Sequence, residues 1–313
     1  MSSGVKQTER PQGCGVAACP LSTDARAVMD AGLPFWQCPR CGSLRIPDGE
    51  ITAPEVEPDA PGETPLVMRL LMRYRLVWLR ATVPALRSPG GRVLDVGAGD
   101  GQWQEFLIKA GYRQTVGVEV NPRRLAHARM RGLTVHPSLE DATGTGGRFD
   151  VIFLWQVVEH VPQSLALIEE LLGALAPGGV LIVSVPNQDS TQIRWFGVRS
   201  SLIDYGRHIW YWRPDFFLRM PELIPGTLAR RLPEWNYEYE IYSWADTLVS
   251  LLVRRHHFVH TRLKKGEGSQ AEKAAAAVLS VLMLPLAVLL SIGTQVRSSR
   301  SSTLTYCLSR PGG

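Results

Sequence analysis

The residues best placed to do chemistry lie in one stretch, 93–101, which reads VLDVGAGDG. An apolar run ends in an acidic residue, Asp95, and is followed by three alternate glycines, Gly97, Gly99 and Gly101. A helical pattern carried by Trp103, Phe106, Leu107 and Ala110 comes next. Strand, tight turn and helix in that order form the local unit of a nucleotide crevice in an open parallel sheet. Glycine is needed where the backbone turns sharply and a ligand lies against it, because a Cβ would clash. The spacing is G-x-G-x-G, whereas a pyrophosphate seated on a helix N-terminus goes with G-x-G-x-x-G. Asp95 and Asp100 would repel a pyrophosphate but suit a ligand with an ammonium group. Residues 115–119 form a second short strand ending in an acid. Glu119 lies 18 residues past Gly101, near the distance at which a carboxylate takes up ribose hydroxyls.

A second constellation lies near the start of the chain. Cys14 and Cys19 are spaced C-x4-C, eighteen residues follow, and Cys38 and Cys41 are spaced C-x2-C. Two such knuckles can supply four thiolates to a tetrahedral structural zinc. Pro39 and Gly42 favour the tight turn that points the sulfurs inward. The first ten residues are polar and lack a signal-peptide core, so disulfides are the weaker reading, and free or redox cysteines are the alternative. Cys307, in an apolar strand pattern, reads as a core thiol.

With these residues in view, the sequence resembles the class I S-adenosylmethionine-dependent methyltransferases. Residues 93–101 look like their first motif and 117–122 (GVEVNP) like their second. Residues 149–161 (FDVIFLWQVVEHV) resemble the fourth, and 175–187 (LAPGGVLIVSVPN) the segment through the fifth strand. The resemblance implies a Rossmann-like α/β fold, doubly wound around a seven-stranded sheet whose last strand is antiparallel. It implies that Asp95 and the three glycines hold the methionine part of S-adenosylmethionine and that Glu119 holds the ribose. Ser138 and the Leu139 amide stand where adenine is read, with Asp141 as the fallback. Trp155, at the end of the fourth strand, joins the cofactor-binding set. In ubiquinone-type O-methyltransferases the place after that strand resembles E-x-x-E-H, thought to hold a metal near the substrate; here Gln156 replaces the first acid. His160 is a candidate general base, since an imidazole titrates near neutral pH, and a structural histidine is the alternative. His208 is the second candidate, although another register puts Glu240 in its place.

The elements that position these residues follow from pattern and punctuation. At 313 residues, with 45% hydrophobic and 20% charged residues, the chain can hold one substantial domain and a small appendage. Residues 1–51 read as a zinc-ribbon-like head, as many related methyltransferases carry. Residues 52–65, alternating Pro with Glu and Asp, read as a linker. Residues 66–313 form the methyltransferase domain. Within it, 66–87 is a basic amphipathic helix lying beside the sheet as a lid over the cofactor, with membrane contact as the alternative. Residues 188–243 are an aromatic insertion covering the site, 258–263 a sixth strand and 303–309 a seventh. Residues 274–292 are nineteen uncharged, largely apolar residues, long enough to cross a bilayer. Pro285 and the strand that must rejoin the sheet argue for a helix dipping into one leaflet, or buried in protein as in a homodimer.

The expected function is methyl transfer from S-adenosylmethionine, with structural Zn2+ in the head, to an oxygen of a small-molecule or lipid-linked acceptor. The expected location is the cytoplasm, with peripheral contact at the inner face of the membrane. The net charge of +5 permits acidic partners. No Lys/Arg run interleaved with aromatics marks a phosphate track, so RNA methylation using the head for binding is a lesser rival. A non-catalytic cofactor-binding scaffold is the other.

Overall fold

A computed structural model describes residues 25–30, 32–52, 66–144, 147–233, 237–264, 266–295 and 298–311. Cys14, Cys19, Arg297 and nearly all of the expected linker lie outside the described residues. Three short strands open the structure: β1 (Arg26–Asp30), β2 (Leu33–Gln37) and β3 (Leu44–Arg45). After α1 (Leu66–Thr82) the chain alternates: β4 (Val93–Val96), α2 (Gln102–Lys109), β5 (Thr115–Val118), α3 (Pro122–Met130), β6 (Val135–His136) and α4 (Leu139–Gly144). β7 (Phe149–Trp155), α5 (Ser164–Gly173) and β8 (Leu175–Pro186) continue the alternation. The last third holds α6 (Thr191–Phe196), β9 (Trp210–Tyr211), α7 (Met220–Leu223), β10 (Leu228–Arg231), α8 (Tyr237–Val253), α9 (Gln270–Gln295) and β11 (Thr303–Ser309).

Seven strands form one sheet in the order β10-β11-β8-β7-β4-β5-β6. β4 to β8 run parallel, while β11 is antiparallel to both β8 and β10. From β4 the chain winds outward to β5 and β6, then returns to β7 on the other flank. β4 therefore sits at the topological switch point, where a crevice opens beyond the strand ends. All four residues of β4 are buried, as a central parallel strand requires.

The sixth strand corrects the sequence expectation. Residues 258–264 are helical, with a π-helical turn at His260–Lys264. Asp246 Oδ1 accepts from the Val259 amide at 2.9 Å, and Ser250 Oγ from the Phe258 amide at 3.0 Å. These local side-chain bonds compete with a ladder and win, and Phe258 and Val259 pack with Val249 and Ala276 instead. The edge strand is Leu228–Arg231, inside the stretch expected as an insertion, and its exposed, intermediate alternation hides it from an apolar-pattern reading.

α1 packs one face beside the sheet. Met72, Leu76 and Leu79 are buried with Trp103, Phe153, Ile182 and Cys307, whereas Leu70, Tyr74 and Val77 are exposed. The segment expected as a separate head shares a four-stranded sheet, the first along the chain, with the aromatic stretch, in the order β1-β2-β3-β9. α9 is one continuous helix containing Pro285. It buries Ala276, Ala287, Ser291 and Thr294, small residues that allow close approach to α8, and leaves Val278, Val281, Leu282 and Leu289 exposed.

Candidate functional site

The glycine turn projects from the end of β4, and its three glycines answer to different demands. All have positive φ, +73° at Gly97, +58° at Gly99 and +77° at Gly101. A Cβ on Gly97 would lie 2.4 Å from Val157 Cγ2, and one on Gly101 2.2 Å from Leu133 Cδ1. Those two are glycines because the protein packs against them. A Cβ on Gly99 would meet only Arg124 Nη1, at 3.8 Å, so this is the least crowded side of the turn. The Gly99 amide donates to Glu119 Oε2 at 2.8 Å and the Asn121 amide to Oε1 at 2.8 Å. The buried Glu119 carboxylate is thereby fixed beside the turn, and Asn121 caps α3 as its sequence predicts.

Asp95 is also buried, and its carboxyl is pushed up to about 7, chiefly by loss of solvation and further by the nearby Glu119 charge. Arg75 opposes that shift. Its guanidinium carbon lies 5.2 Å from the centre of the Trp155 ring and 5.4 Å from that of Trp103, a cation–π sandwich. Trp155 also stacks on Phe153 at 5.7 Å. Arg75 is a site residue that the sequence reading missed. Its signal was positional, since it shares the helical face of Met72, Leu76 and Leu79, all buried. Ser138 and Leu139 lie at the start of α4. The Ser138 hydroxyl donates to Asp141 Oδ2 at 2.6 Å and accepts from the Asp141 amide at 3.1 Å, so it caps that helix.

Beyond β7 a second cluster forms. Gln156 has φ +50° and its amide nitrogen lies 3.4 Å from Ser184 Oγ. A single helical turn, Val158–His160, carries Glu159 and His160. The Ile209 amide donates to the Glu159 carbonyl at 2.8 Å, which draws His208 onto that turn. The two imidazole rings lie 4.8 Å apart, centre to centre. The fold thus brings His208, and not Glu240, beside His160. Glu240 is buried elsewhere, accepting from Trp244 Nε1 (3.1 Å), Thr294 Oγ1 (2.6 Å) and the Ser302 amide (2.5 Å).

The electrostatics of this cluster are unusual. Glu159 is fully buried, neither carboxylate oxygen has a hydrogen-bond partner, and burial pushes its carboxyl up to about 8. Burial and the neighbouring His160 push His208 down to about 3, and burial lowers His160 as well. His160 Nδ1 lies 2.9 Å from the Arg207 carbonyl; a carbonyl only accepts, so the proton is on Nδ1 and Nε2 carries the lone pair. Tyr239 of α8, a second residue the sequence reading did not single out, has its phenol pushed up by burial and by the Glu159 charge.

In the first sheet, Cys38 and Cys41 form a knuckle. The Gly42 amide donates to the Cys38 carbonyl at 2.8 Å, with Gly42 at φ +71°, and both cysteines are buried. The tight turn that the spacing predicts is present between the two cysteines.

A methyltransferase-domain family profile matches residues 68–238, more than half of the chain. A ubiquinone biosynthesis O-methyltransferase of Bordetella bronchiseptica is 29% identical over 199 residues, covering 57% of this chain and 80% of that protein. The one of Cereibacter sphaeroides is 36% identical over 107 residues, 32% of this chain and 43% of its own length. The chain thus spans less than half of the latter. Among solved structures, coclaurine N-methyltransferase matches with a TM-score of 0.48 at 13% identity, over 83% of this chain and 81% of that one.

Proposed function

The chain belongs to the methyltransferase-domain family, and we propose that it transfers the methyl group of S-adenosylmethionine to a hydroxyl oxygen of a small-molecule or lipid-linked acceptor. The observation that carries this reading is the uncrowded side of Gly99 beside the fixed Glu119 carboxylate, at the switch point of the sheet. The cofactor supplies an electrophilic methyl on a sulfonium. Asp95 and the glycine turn hold its amino-acid end, and Arg75 supplies a cation for the carboxylate there. Glu119 takes the ribose hydroxyls, while Ser138, the Leu139 amide and Trp155 border the adenine side and the crevice wall. His160 and His208 face the acceptor and ease loss of its proton. The protein's main work is alignment and exclusion of water. Relatives named for ubiquinone biosynthesis support an oxygen as the methyl acceptor.

Two finer features belong to the same reading. Cys14, Cys19, Cys38 and Cys41 hold a structural zinc within residues 1–51, the knuckle at Cys38 and Cys41 being its described half. α9 contacts a membrane surface peripherally. The helix is long and apolar enough to span a bilayer, but its two ends are tied to α8 and the loop after it, by Arg255 to Glu272 (2.6 Å) and Thr294 to Glu240 (2.6 Å). That fastening favours a helix lying along a leaflet with its leucine face down, at the cytoplasmic side, where a lipid-linked acceptor is within reach.

Calorimetry with S-adenosylmethionine tests the core of the proposal. Gly99→Val should abolish binding by filling the uncrowded side of the turn. Glu119→Ala should weaken it by about 1.5–3 kcal/mol, the scale of a hydrogen bond to a charged group. Unchanged affinity in both variants would overturn the assignment.

A further inference from the structure

The cluster beyond β7 has more donor atoms than a general base needs. Glu159, His160 and His208 each offer one ligand atom, and these atoms all lie within 4.8 Å of one another. A buried carboxylate with two unpartnered oxygens is costly unless a cation or a proton compensates it. No Lys or Arg ion pair with Glu159 occurs among the described residues. Two imidazoles do face it. One of them, His160, has its Nδ1 proton committed to the Arg207 carbonyl, the outer-shell arrangement that fixes a metal-binding histidine with Nε2 free to ligate. His208 Nδ1 is buried without a partner.

We propose that Glu159, His160 and His208 together bind a divalent transition-metal ion of the zinc class, with His208 reaching in from the aromatic segment to complete the set. This rests on the reading of both histidines as acceptor-side groups and gives them a shared task. The set differs from the E-x-x-E-H pattern in kind as well as in sequence. Gln156 removes one carboxylate, and an amide is a weak, neutral ligand. A second imidazole replaces it from a segment some fifty residues later in the chain. Two imidazoles and one carboxylate suit zinc, cobalt or ferrous iron, whereas magnesium prefers oxygen ligands and keeps its waters. Ligand atoms around a zinc-sized ion lie about 3.4 Å apart, so the three side chains converge by roughly an ångström when the ion enters. His160 is half-buried and marks the way in. An ion held there would polarise an acceptor hydroxyl directly, so that neither histidine has to take the proton itself.

The test uses the full chain, stripped with chelator and titrated with Co2+. Thiolate-to-cobalt charge-transfer bands report the cysteine site, while a nitrogen–oxygen site shows only weak visible bands, so the two are read separately. The expected result is a nitrogen–oxygen Co2+ signature, displaced by Zn2+ and not by equimolar Mg2+. It should be lost in Glu159→Gln and weakened at least a hundredfold in His208→Asn. Both variants should keep their circular dichroism and bind S-adenosylmethionine within about twofold of the parent, which shows that the fold survives. Absence of the nitrogen–oxygen signature in the parent, or its persistence at unchanged affinity in either folded variant, overturns the inference. If the ion fails to bind while S-adenosylmethionine still does, the methyltransferase reading stands without it. If S-adenosylmethionine itself does not bind, that reading is what has failed.

Discussion

Cofactor affinity should rise with pH through the acidic range, and one carboxyl sets the size of the effect. Asp95 is pushed up to about 7, with burial as the leading cause, so at pH 6 the cofactor-free protein holds a proton there. An ammonium group placed against it favours the carboxylate and expels that proton. If the bound value returns to the ordinary range near 4, the fraction ready to bind falls from about 0.76 at pH 7.5 to about 0.03 at pH 5.5. Affinity should therefore drop about 25-fold, or roughly 1.9 kcal/mol. Calorimetry at pH 6 in two buffers of different ionisation enthalpy should show about 0.9 proton released per cofactor bound. Asp95→Asn should flatten the profile and abolish the release. The same carboxyl makes the cofactor-free protein less stable as pH rises between about 4 and 7, because the folded state then keeps a proton that the unfolded chain has lost. A parent protein with pH-independent affinity and no proton release would refute the placement of Asp95 against the ammonium.

Two further outcomes follow from the fold. Elemental analysis of protein purified without chelator should find zinc bound by the cysteines, with Cys38→Ser losing it; zinc content unaffected by that substitution would exclude the site. The protein should sediment with anionic vesicles, and Leu282→Asp combined with Leu289→Asp should release it. The two leucines are 64% and 67% exposed, so the substitutions remove no core contact, and precipitation of the double variant with a parent that ignores vesicles would identify α9 as a protein-burial element. Added salt should weaken sedimentation only in part, since apolar insertion is insensitive to screening.

The cofactor side was legible in the sequence because it is local. The order strand, glycine turn, helix, acid is written within 93–119, and β4, α2 and β5 fall where those residues put them. All three glycines could be read as making room for a ligand. That Gly97 and Gly101 are instead required by Val157 and Leu133 could not, because both contacts come from segments more than thirty residues away. The acceptor side was less legible for the same reason. Glu159 and His160 stood together in one motif, but their approach to His208, some fifty residues later, appears only in the fold. The sixth strand was missed because Leu228–Arg231 is a half-exposed edge with two arginines, while residues 258–263 had the apolar look of a strand but sit under the Asp246 cap.

The first sheet is built into the proposed acceptor site through the way His208 is held. The Ile46 amide donates to the Ile209 carbonyl at 3.0 Å, and the Thr52 amide to the Gly206 carbonyl at 2.9 Å. Leu44 and Arg45 pair with Tyr211 and Trp210, Tyr205 Oη donates to the Pro34 carbonyl at 2.9 Å, and the Arg213 amide to Ser43 Oγ at 3.2 Å. Residues 205–213 are thus gripped on both sides of the histidine by the segment that carries the Cys38 and Cys41 knuckle. On the other flank, Trp210 Nε1 donates to the Val161 carbonyl at 3.0 Å, just past His160. The cysteine knuckle and the histidine pair are consequently joined by a short path of hydrogen bonds. Loss of the knuckle should therefore loosen the acceptor side first and leave cofactor binding standing.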